Sequence, residues 1–215
     1  PGFGFALSAG ASGDDAGSAV ATDSAGNVYM TGYFSGDVDF DSGPGTCYLT
    51  SCGSYDVYVA KYSSVGSLVW ARRVGGTSAD KGFGIALAED GSVYVTGQFY
   101  GTADLDPGPG TSNLASAGGA DTFILKLDTA GNFVWARSVG GYGVDVGTGI
   151  SAASDGGVYT TGQFQVTADF DPGPLTCNLV CADGYDDVFI LKLDSGGNFV
   201  WARRMGGSRQ DCVNG

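Results

Sequence analysis

Carboxylates recur at alternate positions in three places along the 215-residue chain: Asp37-Val38-Asp39-Phe40-Asp41, Asp104-Leu105-Asp106 and Asp169-Phe170-Asp171, the last two running straight into Pro-Gly. In an extended segment a period of two puts such side chains on one side. A following Pro-Gly turn folds carbonyl oxygens toward the same point, the oxygen-rich environment that Ca²⁺ prefers. None of the segments has the length or the terminal Glu of an EF-hand loop, and Asp is also a turn former that bonds to its own backbone. Calcium ligation and solvated turn carboxylates therefore stand as the two readings of Asp37, Asp39, Asp41, Asp104, Asp106, Asp169 and Asp171.

A second carboxylate series, Asp15, Asp80, Asp145 and Asp211, sits in Gly/Ser-rich connections. A carboxylate there can hold its loop by accepting backbone N–H bonds, and this structural role is the expected one. Asp56, Asp121 and Asp187 invite the same reading. Trp70, Trp135 and Trp201 suggest sugar-stacking platforms, but one Trp at the same place in every unit is more economically a packing residue whose N–H finds a backbone acceptor. Lys61, Lys126 and Lys192 recur with Arg72, Arg137 and Arg203, and are expected to neutralise nearby Asp or to cover apolar surface with their stems.

Cys47 and Cys52 share one acidic segment, and Cys177 with Cys181 the corresponding later one, which suggests two local disulfides and an oxidising compartment. Four thiolates on one metal is the alternative, weakened by the 130 residues between the pairs. Cys212 is left over, either free, paired with another chain, or paired with a segment beyond this sequence. The chain has no His, which removes Ser-His-Asp and Cys-His machinery and any His-ligated zinc. Ten Lys plus Arg against 23 Asp plus Glu give a formal charge of −13, which disfavours nucleic acid as a partner. No apolar run approaches the ~18 residues of a membrane span. The opening Pro1-Gly2-Phe3 has neither Met nor a signal-like leader, as expected of a processed product or a segment of something longer.

The elements that must position these residues come from self-similarity. Gly26-Asn27-Val28-Tyr29-Met30-Thr31-Gly32 returns as Gly91-Ser92-Val93-Tyr94-Val95-Thr96-Gly97 and as Gly156-Gly157-Val158-Tyr159-Thr160-Thr161-Gly162, a period of 65 residues. Leu68-Val69-Trp70-Ala71-Arg72 recurs as Phe133-Val134-Trp135-Ala136-Arg137 and Phe199-Val200-Trp201-Ala202-Arg203, and Phe5 stands in the Trp position of an earlier partial unit. The chain thus reads as one repeat domain of about three and a third units: a partial repeat over 1–25, repeats over 26–90 and 91–155, and an incomplete one over 156–215.

Each unit reads as a four-stranded antiparallel meander without helix, in the second unit Gly84–Ala88, Ser92–Phe99, Asp121–Leu127 and Asn132–Val139, joined by short Asp/Gly hairpins. The runs Phe123-Ile124-Leu125 and Phe189-Ile190-Leu191 are apolar at successive positions, so both faces of the third strand are buried. A propeller blade has neighbours on both faces, whereas a sandwich sheet is normally wet on one. The expected fold is all-β: a β-propeller-type array of four-stranded antiparallel blades, either an open arc or part of a larger or oligomeric propeller.

The Gly-Asn-Val-Tyr-x-Thr-Gly, Asp-Phe-Asp-Pro-Gly-Pro, Phe-Ile-Leu-Lys-Leu-Asp and Asn-Phe-Val-Trp-Ala-Arg blocks, which span nearly the whole chain, resemble bacterial β-propeller repeats of the SBBP type. The resemblance implies a toroidal scaffold in secreted or cell-surface proteins, with no catalytic residues to carry over. Closed propellers have about 4–8 blades, more than this chain holds. The expectation is a non-enzymatic extracellular or cell-surface scaffold or adhesive module, without a cofactor other than calcium. Its expected partners are copies of itself or further blades of a larger protein. A carbohydrate-binding propeller for polysaccharide is the alternative, with a carboxylate-based carbohydrate-active enzyme behind it.

Overall fold

The structure is a computed structural model that describes residues 10, 13–182, 186–207 and 211. Among the described residues there is no helix, and the strands fall into three units with the same plan. The first unit runs β1 (Ala16–Thr22), β2 (Val28–Phe34), β3 (Asp37–Asp39), β4 (Tyr48–Thr50), β5 (Asp56–Tyr62) and β6 (Leu68–Gly76). Strands β1, β2, β5 and β6 pair antiparallel in that order, and β3 with β4 forms an inserted hairpin.

The second unit, β7 (Lys81–Leu87), β8 (Val93–Asp104), β9 (Asn113–Leu127) and β10 (Phe133–Gly141), needs no separate insert. Its second and third strands continue past a register shift between Tyr100 and Thr102 and pair on to Asp104↔Asn113. The third unit repeats the first: β11 (Val146–Ala152), β12 (Val158–Phe164), β13 (Thr167–Asp169), β14 (Asn178–Val180), β15 (Asp187–Leu193) and β16 (Phe199–Met205). Each sheet therefore opens at residue 16, 81 or 146, and the repeat limits at 26, 91 and 156 fall between its first two strands.

The three sheets stack face to face, with a core between each pair. Tyr29, Val57, Val59 and Trp70 of the first unit meet Val93, Val95, Phe123 and Leu125 of the second in one cluster. Tyr94, Ile124 and Trp135 meet Val158, Phe189 and Leu191 in the next. Burial follows from this stacking. The Asp121–Leu127 part of β9, with a neighbour on each side, is buried at every position, whereas β15 alternates between buried and half-buried because, among the described residues, no sheet covers its outer side. The insert of each unit covers the face toward the preceding one, as Val38 and Phe40 do over Phe34 and Tyr58.

Candidate functional site

The recurring site is the boundary between units. It starts in the hairpin that joins the third and fourth strands, Asp128-Thr129-Ala130-Gly131-Asn132 in the second unit. Asp128 Oδ1 accepts from the N–H groups of Ala130 and Asn132, both at 2.8 Å, and Gly131 takes a φ of +76° that closes the turn. The turn thereby presents the carbonyls of Thr129, Ala130 and Gly131 outward. Trp70 Nε1 of the preceding unit donates to the Thr129 carbonyl at 3.2 Å, while Arg72 donates through Nε to Gly131 and through Nη2 to Ala130 at 2.9 and 3.0 Å.

The next boundary is built alike. Trp135 Nε1 donates to the Ser195 carbonyl at 3.0 Å, and Arg137 forks onto Gly197 and Gly196. A β-carbon on Gly131 or Gly197 would stand 2.9 Å from the ring of Trp70 or Trp135, so the bare glycine is also a stacking surface. Trp70 and Trp135 are each 7% exposed and offer no free ring face. The guanidinium groups of Arg72 and Arg137, expected to neutralise nearby Asp or to cover apolar surface with their stems, donate to carbonyls some 60 residues ahead. The visible signal was the Trp-Ala-Arg spacing, which puts donor ring and guanidinium on the same side of a strand.

A second fastening lies at the other end of the strands. Gly75 and Gly76 of β6 pair with Asp104 and Ala103 of the next unit, and Gly140 and Gly141 of β10 with Asp169 and Ala168. Asp80 and Asp145 lock these crossings. Asp80 Oδ2 accepts from Gly76 N–H at 2.6 Å and its Oδ1 from Tyr100 N–H, while Asp145 accepts from Gly141 at 2.7 Å and from Gln165. Asp15 accepts from Ser35 N–H and Asp211 from Gly207 N–H. Beside them Asp56, Asp121 and Asp187 are buried, each accepting a backbone N–H, from Cys52, Ala117 and Ala182. Arg73 and Arg204 pair with Asp56 and Asp187 at 2.9 and 2.8 Å. Burial, partly offset by backbone N–H bonds, pushes Asp80 and Asp121 up to about 6 and Asp145 to about 7.

In the acidic segments the first carboxylate of each turn serves the chain itself. Asp39 Oδ1 accepts from Asp41 and Cys47 N–H, Asp104 Oδ1 from Asp106 and Ser112, and Asp169 Oδ1 from Asp171 and Cys177. Asp41, Asp106 and Asp171 then accept from Gly43, Gly108 and Gly173, and Asp37 is exposed. Among the described residues no three acidic or Cys side chains converge closely enough to hold a metal ion. Two open grooves of about 670 and 480 Å³ run past these turns, the first between Arg72, Asp104, Asp106 and Phe133, the second between Arg137, Asp171 and Phe199.

The local disulfides are corrected by the structure: neither Cys47 with Cys52 nor Cys177 with Cys181 is bridged. The strands β4 and β14 lie between the members of each pair. At roughly 3.3 Å per extended residue they hold the α-carbons about 10 Å or more apart, beyond the ~7 Å a disulfide spans. These pairs therefore carry no argument for an oxidising compartment. Cys212 and the Phe5 block lie outside the described residues.

Among the described residues, the two ends of the stack hold halves of the boundary with no counterpart against them. Trp201 is half-buried and Arg203 exposed, and among the described residues Arg203 Nη1 donates to Ala202 of its own strand. Tyr159, Val188 and Ile190 around them are half-buried. At the opposite end the hairpin Ser63–Ser67 has the receiving geometry, with Ser63 N–H on Ser67 at 2.8 Å, Gly66 N–H on Ser63 at 2.9 Å and Gly66 at a φ of +85°. Its tip residue Val65 is 76% exposed.

No family model matches the chain. It is similar to the regulatory protein FlaEY of Caulobacter vibrioides, 32% identical over 111 residues, which are 52% of this chain and 12% of that protein. It is also similar to an uncharacterized WD repeat-containing protein of Acanthamoeba polyphaga mimivirus, 24% identical over 221 residues, 87% of this chain and 15% of that protein. The chain thus spans less than a sixth of the length of either relative.

Proposed function

We propose that the chain is a non-enzymatic scaffold segment of β-propeller type whose open end engages the hairpin end of a second copy. The observation that carries the reading is the donor pair Trp201 and Arg203 at one end and the Ser63–Ser67 hairpin at the other, neither of which meets its counterpart among the described residues. The same donors meet the same hairpin twice within the chain. Such head-to-tail contacts close into rings when the rotation allows and otherwise extend as filaments.

Face-to-face stacking of four-stranded antiparallel sheets and similarity to a WD repeat-containing protein support the propeller geometry. Two copies bring six sheets, within the roughly 4–8 blades of closed propellers. The scaffold role is supported by how the recurrent acids are used, since each set holds loops and strand crossings rather than facing a cleft unpaired. Kinship with SBBP-type repeats and a place outside the cell or on its surface belong to this reading, on the motif blocks.

Complementation by crippled copies tests it. Arg203→Ala removes the donor fork, and Gly66→Val blocks the opposite hairpin through its positive φ. Each variant alone keeps one working end, so a mixture is expected to form hetero-dimers and no higher species in sedimentation velocity. Copies that assemble equally well with both substitutions in one chain would overturn the proposal.

A further inference from the structure

At the end of each unit a pair of carboxylates, buried except for the half-buried Asp211, stands at a bare glycine. A β-carbon on Gly75 would lie 2.5 Å from Asp56 Oδ1 and 2.9 Å from Asp80 Oδ2, so the glycine leaves a small cradle between the two oxygens. Asp187 and Asp211 stand in the same way over Gly206. In the middle copy Asp121 Oδ1 would lie 2.6 Å from a β-carbon on Gly140, and the next residue, Gly141, donates its N–H to Asp145. In all three copies one oxygen is buried and has no hydrogen-bond partner: Oδ1 of Asp56, Asp121 and Asp187.

The copies differ in how the charge is balanced. Arg73 lies opposite Tyr58 in the ladder, and Arg204 opposite Phe189; the equivalent residue opposite Phe123 is Ser138. Asp56 and Asp187 therefore carry a guanidinium and Asp121 does not. The charged groups that act on Asp145 are Asp121 and Asp186, both of which raise it further. Two carboxylates that are 4% and 1% exposed thus act on one another with no basic side chain on either among the described residues. A buried charge without a counter-charge is strongly disfavoured.

We propose that the Asp121–Asp145 cradle over Gly140 binds a hard, oxygen-seeking cation such as Ca²⁺, supplying the positive charge that Arg73 and Arg204 supply in the flanking copies. The orphaned Asp121 Oδ1 and the Asp145 carboxylate are its protein anions, and the all-oxygen donor set suits Ca²⁺ rather than a softer metal. With two carboxylates rather than a cluster, its affinity belongs to the range of roughly 0.1–1 mM found for low-charge oxygen sites. The cation ties β10 of the second unit to the loop that opens the third.

The test is thermal unfolding of the whole chain at pH 7.5 after chelation, titrated with CaCl₂ to 10 mM against NaCl of equal ionic strength. Wild type is expected to gain roughly 4–8 °C in Tm. Asp121→Asn is expected to lose that gain. Ser138→Arg, which installs the guanidinium of the neighbouring copies, is expected to keep the fold, start from a higher Tm without calcium, and show no response to it. A calcium response that survives in both variants places the ion elsewhere and overturns the proposal. So does a wild type that ignores calcium but gains stability as pH falls through 7 to 6, because a shared proton then balances the pair.

Discussion

Trp135 and Trp201 occupy the same place in successive units, with the same Ala and Arg after them, and differ in that, among the described residues, a further unit lies against Trp135 alone. Replacing each by Ala is therefore a direct reading of what the neighbour contributes. Trp135 is 7% exposed, packs against Tyr94 with ring centroids 5.9 Å apart, and donates to Ser195. Removing a buried ring of this size costs about 3–5 kcal/mol, and the lost hydrogen bond adds about 1 kcal/mol, part of which water restores at the freed carbonyl. We expect a loss of about 4 kcal/mol. Trp201 keeps the contact with its Tyr, at 6.0 Å, but lies half-buried with no hairpin beneath it. The expected loss there is about 1–2 kcal/mol. Urea unfolding at sub-micromolar concentration, where the ends stay unassociated, measures both. With a slope of about 2–3 kcal/mol per molar urea, the two variants are expected to differ by roughly 1 M in midpoint. Equal losses, within about 0.5 kcal/mol, would refute the reasoning that the neighbouring hairpin completes the Trp site.

Other outcomes follow from the same geometry. Gly131→Ala places a methyl group 2.9 Å from the Trp70 ring at a φ of +76°, and is expected to cost about 2 kcal/mol or more in the same assay, whereas Gly36→Ala, with open space at its β-carbon, carries only the strain of its own positive φ. In metal-free buffer Asp80, Asp121 and Asp145 hold protons in the folded state at pH values where the unfolded chain has lost them, so stability rises as pH falls from 8 toward 5. For Asp145, raised from 3.8 to about 7, the part of the difference gained between pH 8 and 5 is about 3 kcal/mol, and a pH series of urea midpoints reads it. Below pH 4 the trend reverses, because Asp128 and Asp194, held low by hydrogen bonds from Asn132 and Asn198, lose their caps on protonation. Exposed Cys52 is expected to react with a maleimide in the native chain far faster than buried Cys181, as mass mapping of labelled peptides would show.

Much of this architecture is legible in the sequence, for local reasons. The four strands of each unit and their Asp/Gly hairpins declare themselves because alternation and turn chemistry act over a few residues. The unbroken apolar run Phe123-Ile124-Leu125 shows two buried faces directly, and the structure adds that Ile190, its counterpart at the open end, is half-exposed. The inserts were harder. Asn113–Ala120 is rich in Gly, Ser and Ala and reads as loop, yet it continues β9 because its backbone pairs with β8 and not because its side chains favour strand. Tyr48–Thr50 and Asn178–Val180 are too short to show a period, so nothing local revealed that they hold the flanking cysteines apart. The Arg fork depends on carbonyls 58–60 residues away, which no local pattern encodes. The exception at Ser138 was visible in self-alignment, where Arg73 and Arg204 stand in the other units. Its meaning required Asp121 to be buried against it.

The most direct test of the account is the solution mass of this chain, by light scattering after size exclusion, across about 1–100 µM. Small integer multiples of 21.7 kDa, or a polymer, are expected, growing with concentration and returning to a single chain with Arg203→Ala and Gly66→Val combined. A stable 21.7 kDa monomer at the highest concentration, with Trp201 and the Ser63–Ser67 hairpin both solvent-accessible, would contradict it.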